Sequence, residues 1–182
     1  MKIGVLIGSL RKDSFNRKIA RTLTLLAPKS LDMQIIEIGK LPFFNQDDEA
    51  TPPGAWVKFR EAIKSLDGFL LVTPEYNRSV PAALKNALDV GSMPYGQSVW
   101  SGKPCAVVSA SVGAIGGFGA NHHLRQSLVY LNTPCMQQPE VYLSFVDKLF
   151  DDKGNMNNEG TKTFLGQFME AFATWVQTHV KH

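Results

Sequence analysis

The chain has 182 residues, of which 44% are apolar and 19% are charged, so its length and composition suit one globular domain over residues 1–182. Its net charge of +3 contains no block of like charges, which favours small anionic ligands and argues against a nucleic-acid partner. No run approaches the ~20 apolar residues of a membrane span, and no signal peptide is recognised. We therefore expect a cytoplasmic protein with no membrane partner.

Strand-like and helix-like patterns alternate along the whole chain. Short apolar runs predict five strands, over residues 3–7, 33–38, 68–73, 104–109 and 133–138. Segments with helical periodicity predict five helices, over residues 18–26, 55–66, 80–90, 118–131 and 161–179. A long loop over residues 39–53, rich in proline and acidic residues, is interpreted as either functional or a packed cover.

Apolar strands that alternate with helices are typical of a parallel sheet covered on both faces. Five such strands in a chain of this size predict an α/β fold with the flavodoxin-like strand order 2-1-3-4-5. Ligands of such sheets bind outside the carboxyl ends of the strands. The loops after the first, third and fourth strands are therefore expected to meet at one site.

The loop after the first strand is rich in hydrogen-bond donors. Ser9, Ser14 and Asn16 offer neutral donors, Arg11 offers a planar charged group that suits phosphate, and the following helix start offers free backbone N–H groups. The glycine patterns of triphosphate and dinucleotide sites are absent from the sequence, so we predict a site for one terminal phosphate. The alternative is an ordinary helix start capped by Asp13 or Ser14, with Arg11 in solvent.

The loops after the third and fourth strands suit a flat ring. In residues 73–81, two prolines stiffen the backbone, Tyr76 offers an aromatic face and Asn77 offers an amide. In residues 109–119, several glycines allow the backbone to approach a ligand closely. Taken singly, each could be a structural turn. Together with one phosphate site and no second one, they indicate flavin mononucleotide (FMN).

The signatures of the NADPH-dependent FMN reductase family resemble three segments of this chain: Gly8-Ser9-x-Arg11-x-x-Ser14-x-Asn16-Arg17, Pro74-Glu75-Tyr76-Asn77 and Gly113-Ala114-x-Gly116-Gly117. This family includes bacterial quinone, chromate and azo-dye reductases, which bind FMN non-covalently and use NADPH or NADH. By this resemblance the residues at the FMN phosphate are Ser9, Arg11, Ser14, Phe15 and Asn16. By the same resemblance those at the ring and ribityl side are Pro74, Glu75, Tyr76, Asn77, Ser109 and Gly113.

The resemblance implies a reductase that passes two electrons from NAD(P)H through FMN to quinones, azo compounds or chromate. One open ring face predicts a ping-pong sequence. Because the flavin carries the chemistry, we predict no catalytic side chain and no metal ligand. Two other hypotheses are a flavodoxin-type electron carrier, which the positive charge disfavours, and a phosphate-binding domain without flavin.

Three features outside the predicted site also carry expectations. The surface from residue 80 to 96, together with Trp100, is apolar and aromatic, and the resembled family pairs through this region, so we predict a homodimer or homotetramer. Cys105 and Cys135 lie far apart in the sequence without metal or redox spacing, which predicts unreactive core thiols. His122 and His123 are assigned to the surface or an interface.

Overall fold

The computed structural model describes residues 1–180 and has a parallel sheet at its centre. The strands are β1 (Lys2–Ile7), β2 (Asp32–Ile36), β3 (Gly68–Thr73), β4 (Cys105–Ala110) and β5 (Val141–Leu143). The helices are α1 (Phe15–Leu26), α2 (Gly54–Lys64), α3 (Ala82–Ser92), α4 (Phe118–Tyr130) and α5 (Glu159–His179). All neighbouring strands pair in parallel in the order β2-β1-β3-β4-β5, which confirms the predicted flavodoxin-like topology.

The sheet is covered by one hydrophobic layer on each face. Helices α1 and α5 cover one face, where Phe168 and Phe172 of α5 are buried and stack on each other. Helices α2, α3 and α4 cover the other face, where Trp56 of α2 is fully buried. Because both faces are covered, every residue of β3 and of β4 is buried, as their unbroken apolar runs predict. No helix within residues 1–180 is long and apolar enough to cross a membrane.

The predicted fifth strand is wrong in position. Within residues 133–138 only Cys135 makes a strand-like bridge, to Cys105, and regular pairing with β4 begins at Val141. The flanking residues Pro134 and Pro139 have no N–H group to donate to a sheet ladder, so pairing cannot propagate from that bridge. The edge strand is therefore shorter and later than the apolar run suggests.

The prediction that Trp100 belongs to an exposed aromatic surface is also wrong. Its side chain is fully buried and packs against Phe69 and Phe59 at ring-centroid distances of 4.9 and 6.0 Å. Its indole N–H donates to the carbonyl of Leu88, 2.9 Å away. The sequence around Trp100 does not indicate whether its side chain points into the core or toward solvent.

The long loop over residues 39–53 is a packed cover on α2 and α3. The backbone N–H of Phe44 donates to the Asn86 side chain at 2.8 Å, and the Phe44 ring stacks on Trp56. Glu49, in the short 3-10 turn Gln46–Ala50, forms a largely buried ion pair with Arg60 at 2.6 Å. These contacts tie the loop to α2 and α3.

The two cysteines are neighbours in space. Cys105 is buried at the start of β4, as predicted for a core thiol, whereas Cys135 is only half-buried and is bridged directly to it. Cys135 is therefore less buried than the core position predicted for it. The distance between Cys105 and Cys135 along the sequence does not indicate whether the fold brings the two residues together.

Candidate active site

The loop between β1 and α1 presents unsatisfied hydrogen-bond donors and one unsatisfied acceptor. Ser14 caps α1 by accepting from the backbone N–H of Arg17 at 3.2 Å, so the helix begins at Phe15, earlier than predicted. Within residues 1–180, the N–H groups of residues 9–16 donate to no protein acceptor. The side-chain oxygen of Asn16 is buried and accepts no hydrogen bond from any group within residues 1–180. Residues 10–13 are exposed, so their N–H groups are open to solvent or to a ligand, whereas the buried Asn16 oxygen is an acceptor that costs free energy when it is left unpaired.

The loop between β3 and α3 is folded into a tight turn. Tyr76 and Ser79 exchange two backbone hydrogen bonds of 3.1 and 2.9 Å. The two central residues, Asn77 and Arg78, have positive φ angles of 49° and 64°. Asparagine tolerates this conformation, whereas arginine rarely adopts it. Strain of this kind is typical of a loop whose backbone is shaped for a function.

Glu75 fastens the same loop to the start of α4. Its side chain is only 10% exposed, accepts from the backbone N–H of Ala120 at 3.1 Å and lies 3.5 Å from the Arg78 guanidinium. A carboxylate is favoured at the N-terminal turn of a helix, where N–H groups are free. A Cβ atom at Gly119 would lie 2.9 Å from the Glu75 carboxylate, so the glycine makes room for this contact. Glu75 thus holds the turn at the mouth of the site.

The loop between β4 and α4 is fixed by two glycines and by the segment after β5. Gly116 and Gly117 have φ angles of 57° and 77°, and a Cβ atom at Gly116 would lie 2.7 Å from the backbone of Tyr142. The N–H of Ser111 donates to Leu143 O at 3.0 Å, and Ser144 donates to Ala114 O at 2.7 Å. The glycines are therefore required by close packing in a left-handed conformation.

The three loops enclose a cavity of about 150 Å³ at the carboxyl edge of the sheet. Pockets for drug-sized ligands usually have volumes of roughly 300–1,000 Å³. A ligand of that size would therefore extend beyond this cavity. The predicted site residues that line it are Ser9, Arg11, Phe15, Asn16, Pro74, Glu75 and Tyr76. The cavity is also lined by Ala110, Ser111 and Val112, which belong to the predicted ligand loop over residues 109–119 but were not singled out, and by Val146, which the sequence analysis missed.

The other predicted site residues lie beside the cavity. Ser14 serves as the cap of α1, Asn77 is exposed at the tip of the tight turn, and Gly113 is exposed next to Val112. Ser109 is fully buried behind the cavity wall, where its hydroxyl is 3.4 Å from Val141 O and accepts from Asn121 at 3.3 Å. These positions suit backbone contacts or support of the wall.

A buried polar chain supports Ser109 from behind. Asn121 of α4 donates to Ser109, and its amide oxygen accepts from the guanidinium of Arg125 at 2.9 Å. No signal in the sequence distinguishes these two side chains from ordinary surface positions of a helix. Val146 also carries no signal in the sequence. It lies in the segment that follows β5, which the sequence analysis did not connect with the site.

The two histidines of α4 are exposed, as predicted, and each has one side-chain partner. His123 shares a hydrogen bond of 2.9 Å with the Ser79 hydroxyl, and His122 shares one of 3.0 Å with the Tyr142 hydroxyl. Burial, aided by the nearby Glu140 carboxylate, raises the pKa of Tyr142 to about 12, so this phenol stays protonated at neutral pH. Neither histidine lines the cavity.

Comparison with known proteins agrees with this geometry. The model of the family described as NADPH-dependent FMN reductase matches residues 1–148. A quinone reductase of Pseudomonas putida is 61% identical over 176 residues, which cover 96% of this chain and 94% of the relative. A 2-hydroxy-1,4-benzoquinone reductase of a Burkholderia species is 46% identical over 177 residues, which cover 97% of each chain.

A solved structure shares both the sequence and the fold. FerB, a flavoenzyme NAD(P)H:(acceptor) oxidoreductase of Paracoccus denitrificans, superposes with a TM-score of 0.92 at 39% identity, and 98% of each chain is covered. The sequence motifs, the sheet topology and the length of the match all indicate the same family. This chain therefore belongs to the NADPH-dependent FMN reductase family, whose cofactor is FMN and whose hydride donor is NADPH.

Proposed function

We propose that this chain is an NAD(P)H-dependent quinone reductase that holds FMN at the cavity between the loops after β1, β3 and β4. The observation that carries the proposal is the convergence of free N–H groups, Arg11 and the flat face of Tyr76 on one cavity. The quinone reductase name of the Pseudomonas putida relative supports the acceptor class. When bound, FMN supplies the chemistry by accepting a hydride and passing on two electrons.

The chain's own residues bind and orient the cofactor. The free N–H groups of residues 9–16 and the Arg11 guanidinium suit the terminal phosphate. The unpartnered oxygen of Asn16 suits a ribityl hydroxyl, which would satisfy a buried acceptor. Pro74 and Tyr76 suit the wall of a planar ring. The backbone N–H of Val112, which donates to no protein acceptor within residues 1–180, suits a developing negative charge. This division of roles requires no acid, base or nucleophile from the protein.

The direct test is steady-state oxidation of NADPH, then of NADH, by the FMN-loaded protein with benzoquinone. Turnover with the quinone supports the proposal, and further assays with chromate and an azo dye define the acceptor range. FMN binding without NADPH oxidation would instead indicate a flavodoxin-type carrier. A protein that purifies without visible absorption and binds no added FMN would overturn the cofactor assignment.

A ping-pong order of substrates is the first kinetic prediction. The sequence has no dinucleotide glycine motif that would place NADPH at a second site. We expect the β4–α4 loop to lie against one face of the flavin ring, which leaves the other face for both substrates. NADP⁺ should therefore leave before the quinone enters. Double-reciprocal plots against NADPH at several fixed quinone concentrations are expected to be parallel. Intersecting lines would mean that both substrates bind together.

A homo-oligomer is the second proposal about this chain. Helices α3 and α4 line an open groove of about 560 Å³, and aromatic side chains stand exposed near it, with Tyr130 at 85% and Tyr95 at 88%. The groove is lined by both polar and apolar residues, and large exposed aromatic side chains of this kind are typical of an interface. The groove includes His123 and Ser79, which adjoin the turn of the active site. A partner subunit seated there would lie next to the cavity mouth.

Analytical ultracentrifugation tests this assembly. The parent chain, of 20.1 kDa, is expected to sediment as a dimer or tetramer at micromolar concentration. Tyr130→Asp should shift the distribution toward the monomer, because a carboxylate is costly to bury in an interface. Leu25→Asp is the matched control, since Leu25 is 86% exposed on α1, and should leave the distribution unchanged. A parent protein that is monomeric would defeat the proposal.

A further inference from the structure

Cys105 and Cys135 occupy directly paired positions on adjacent segments. The backbone N–H of Cys105 donates to Pro134 O at 2.9 Å, and the N–H of Met136 donates to Cys105 O at 2.8 Å. Neighbouring strands lie roughly 4.8 Å apart, which is within the range of about 4.4–6.8 Å between the Cα atoms of a disulfide. Both side chains lie on the same side of the sheet, since Cys105 belongs to, and Cys135 packs against, the same hydrophobic cluster. A disulfide could therefore form without a large backbone movement.

The two thiols have different surroundings. Cys105 is fully buried, and this burial, together with its hydrogen bond to Cys135, raises the pKa of its thiol. Cys135 is half-buried, and the Arg125 guanidinium donates to its sulfur at 3.5 Å. The hydrogen bond from Cys105, together with the Arg125 charge, lowers the pKa of Cys135 despite partial burial. Cys135 thus has the exposure and the cationic neighbour of a reactive thiol, and Cys105 is its protonated neighbour.

Arg125 is held in place by the protein rather than by the sulfur alone. Its Nη1 atom also donates to Met136 O at 3.0 Å, and its Nε atom donates to Asn121 at 2.9 Å. These contacts fix the guanidinium beside Cys135 before any reaction. The positive charge is therefore available to stabilise a thiolate without reorganisation.

Neither thiol belongs to the active site. Cys105 and Ser109 lie at opposite ends of β4, and four residues of strand span roughly 13 Å. Neither cysteine lines the cavity at the carboxyl edge. The proposed reductase function therefore assigns no role to this pair.

We propose that Cys105 and Cys135 are a peroxide-reactive dithiol that closes into a reversible intramolecular disulfide. The Cys135 thiolate attacks one oxygen of hydrogen peroxide, so an S–O bond forms, the O–O bond breaks, and the released hydroxide is protonated to water. The Cys105 sulfur then attacks the Cys135 sulfenic acid, so the S–S bond forms, the S–O bond breaks, and the Cys105 proton leaves with the hydroxide as a second water. Two thiols lose two electrons, and one peroxide is reduced to two waters.

Intact mass and thiol titration of the FMN-loaded protein test this proposal. After reaction with hydrogen peroxide in the absence of NADPH, we expect the chain to lose two hydrogens and both titratable thiols. A peptide map should show residue 105 linked to residue 135 within one chain, and dithiothreitol should restore both thiols because Cys135 is half-exposed. The flavin absorption spectrum, recorded before and after, reports that the protein remains folded during the reaction.

Two single variants assign the roles. In Cys105→Ser, Cys135 should still react but stop at a sulfenic acid that dimedone traps, with no disulfide. In Cys135→Ser, the buried Cys105 should remain reduced under the same treatment. The proposal is overturned if the parent chain keeps both thiols, gains oxygen without a cross-link, or forms only disulfides between chains. These measurements on the parent chain decide the matter even if a variant fails to fold.

Discussion

Arg11→Ala is expected to weaken FMN binding by about 10- to 100-fold. Charge-assisted hydrogen bonds are worth roughly 1.5–3 kcal/mol, and the Arg11 guanidinium lines the cavity beside the free N–H groups of the β1–α1 loop. Within residues 1–180 it makes no ion pair that would compete for a phosphate. Titration of the apoprotein with FMN, monitored by quenching of the flavin fluorescence, measures the change in affinity.

Arg21→Ala is the matched control for this experiment. Arg21 is an exposed arginine of α1 that does not line the cavity, so its removal changes the net charge by the same amount. We expect its FMN affinity to match that of the parent chain in buffer of moderate ionic strength. Equal losses in both variants would mean that Arg11 acts only through overall charge, and an unchanged Arg11→Ala variant would remove it from the site.

Trp100→Ala is expected to lower the free energy of unfolding by about 3–5 kcal/mol. Trp100 is among the largest fully buried side chains and contacts two other aromatic rings, so its removal leaves a cavity in the layer between the sheet and α3. The hydrogen bond from its indole N–H to Leu88 O would also be lost. Urea unfolding followed by circular dichroism, at one protein concentration for both chains, gives the difference.

Trp100→Phe separates packing from the hydrogen bond. It keeps an aromatic ring in the core but cannot donate to Leu88, so a smaller loss than that of the alanine variant is expected. If Trp100→Ala changed the state of association while stability stayed at the parent value, the side chain would have to lie in an interface instead. That outcome would contradict the burial seen here.

The architecture and much of the site could be predicted because their signals are local. Residues 68–73 are an unbroken apolar run, which is typical of a strand covered on both faces, and the structure confirms this. The order of strands then brings the loops after β1, β3 and β4 to one edge, whatever the details of each loop. This is why seven predicted residues, from Ser9 to Tyr76, line a single cavity.

The failures have a common cause in contacts between distant segments. Whether residues 133–138 pair as a strand depends on the N–H groups that Pro134 and Pro139 lack, and on where β4 has free positions. Whether Trp100 is exposed depends on the space beside Phe69 and Gly91, where a Cβ atom would overlap the indole ring. Neither is encoded in the periodicity of the segment itself.

By itself, the sequence determined the order of strands and helices, the position of the loop between β1 and α1, and the family, because these depend on apolar patterning and short motifs. The tertiary structure alone decided that Glu75 anchors the turn to α4, that Asn121 and Arg125 support Ser109, and that Cys135 lies against Cys105. The physical reason is that side-chain hydrogen bonds act over a few ångströms. Which residues come that close is settled only when the sheet and its helices pack.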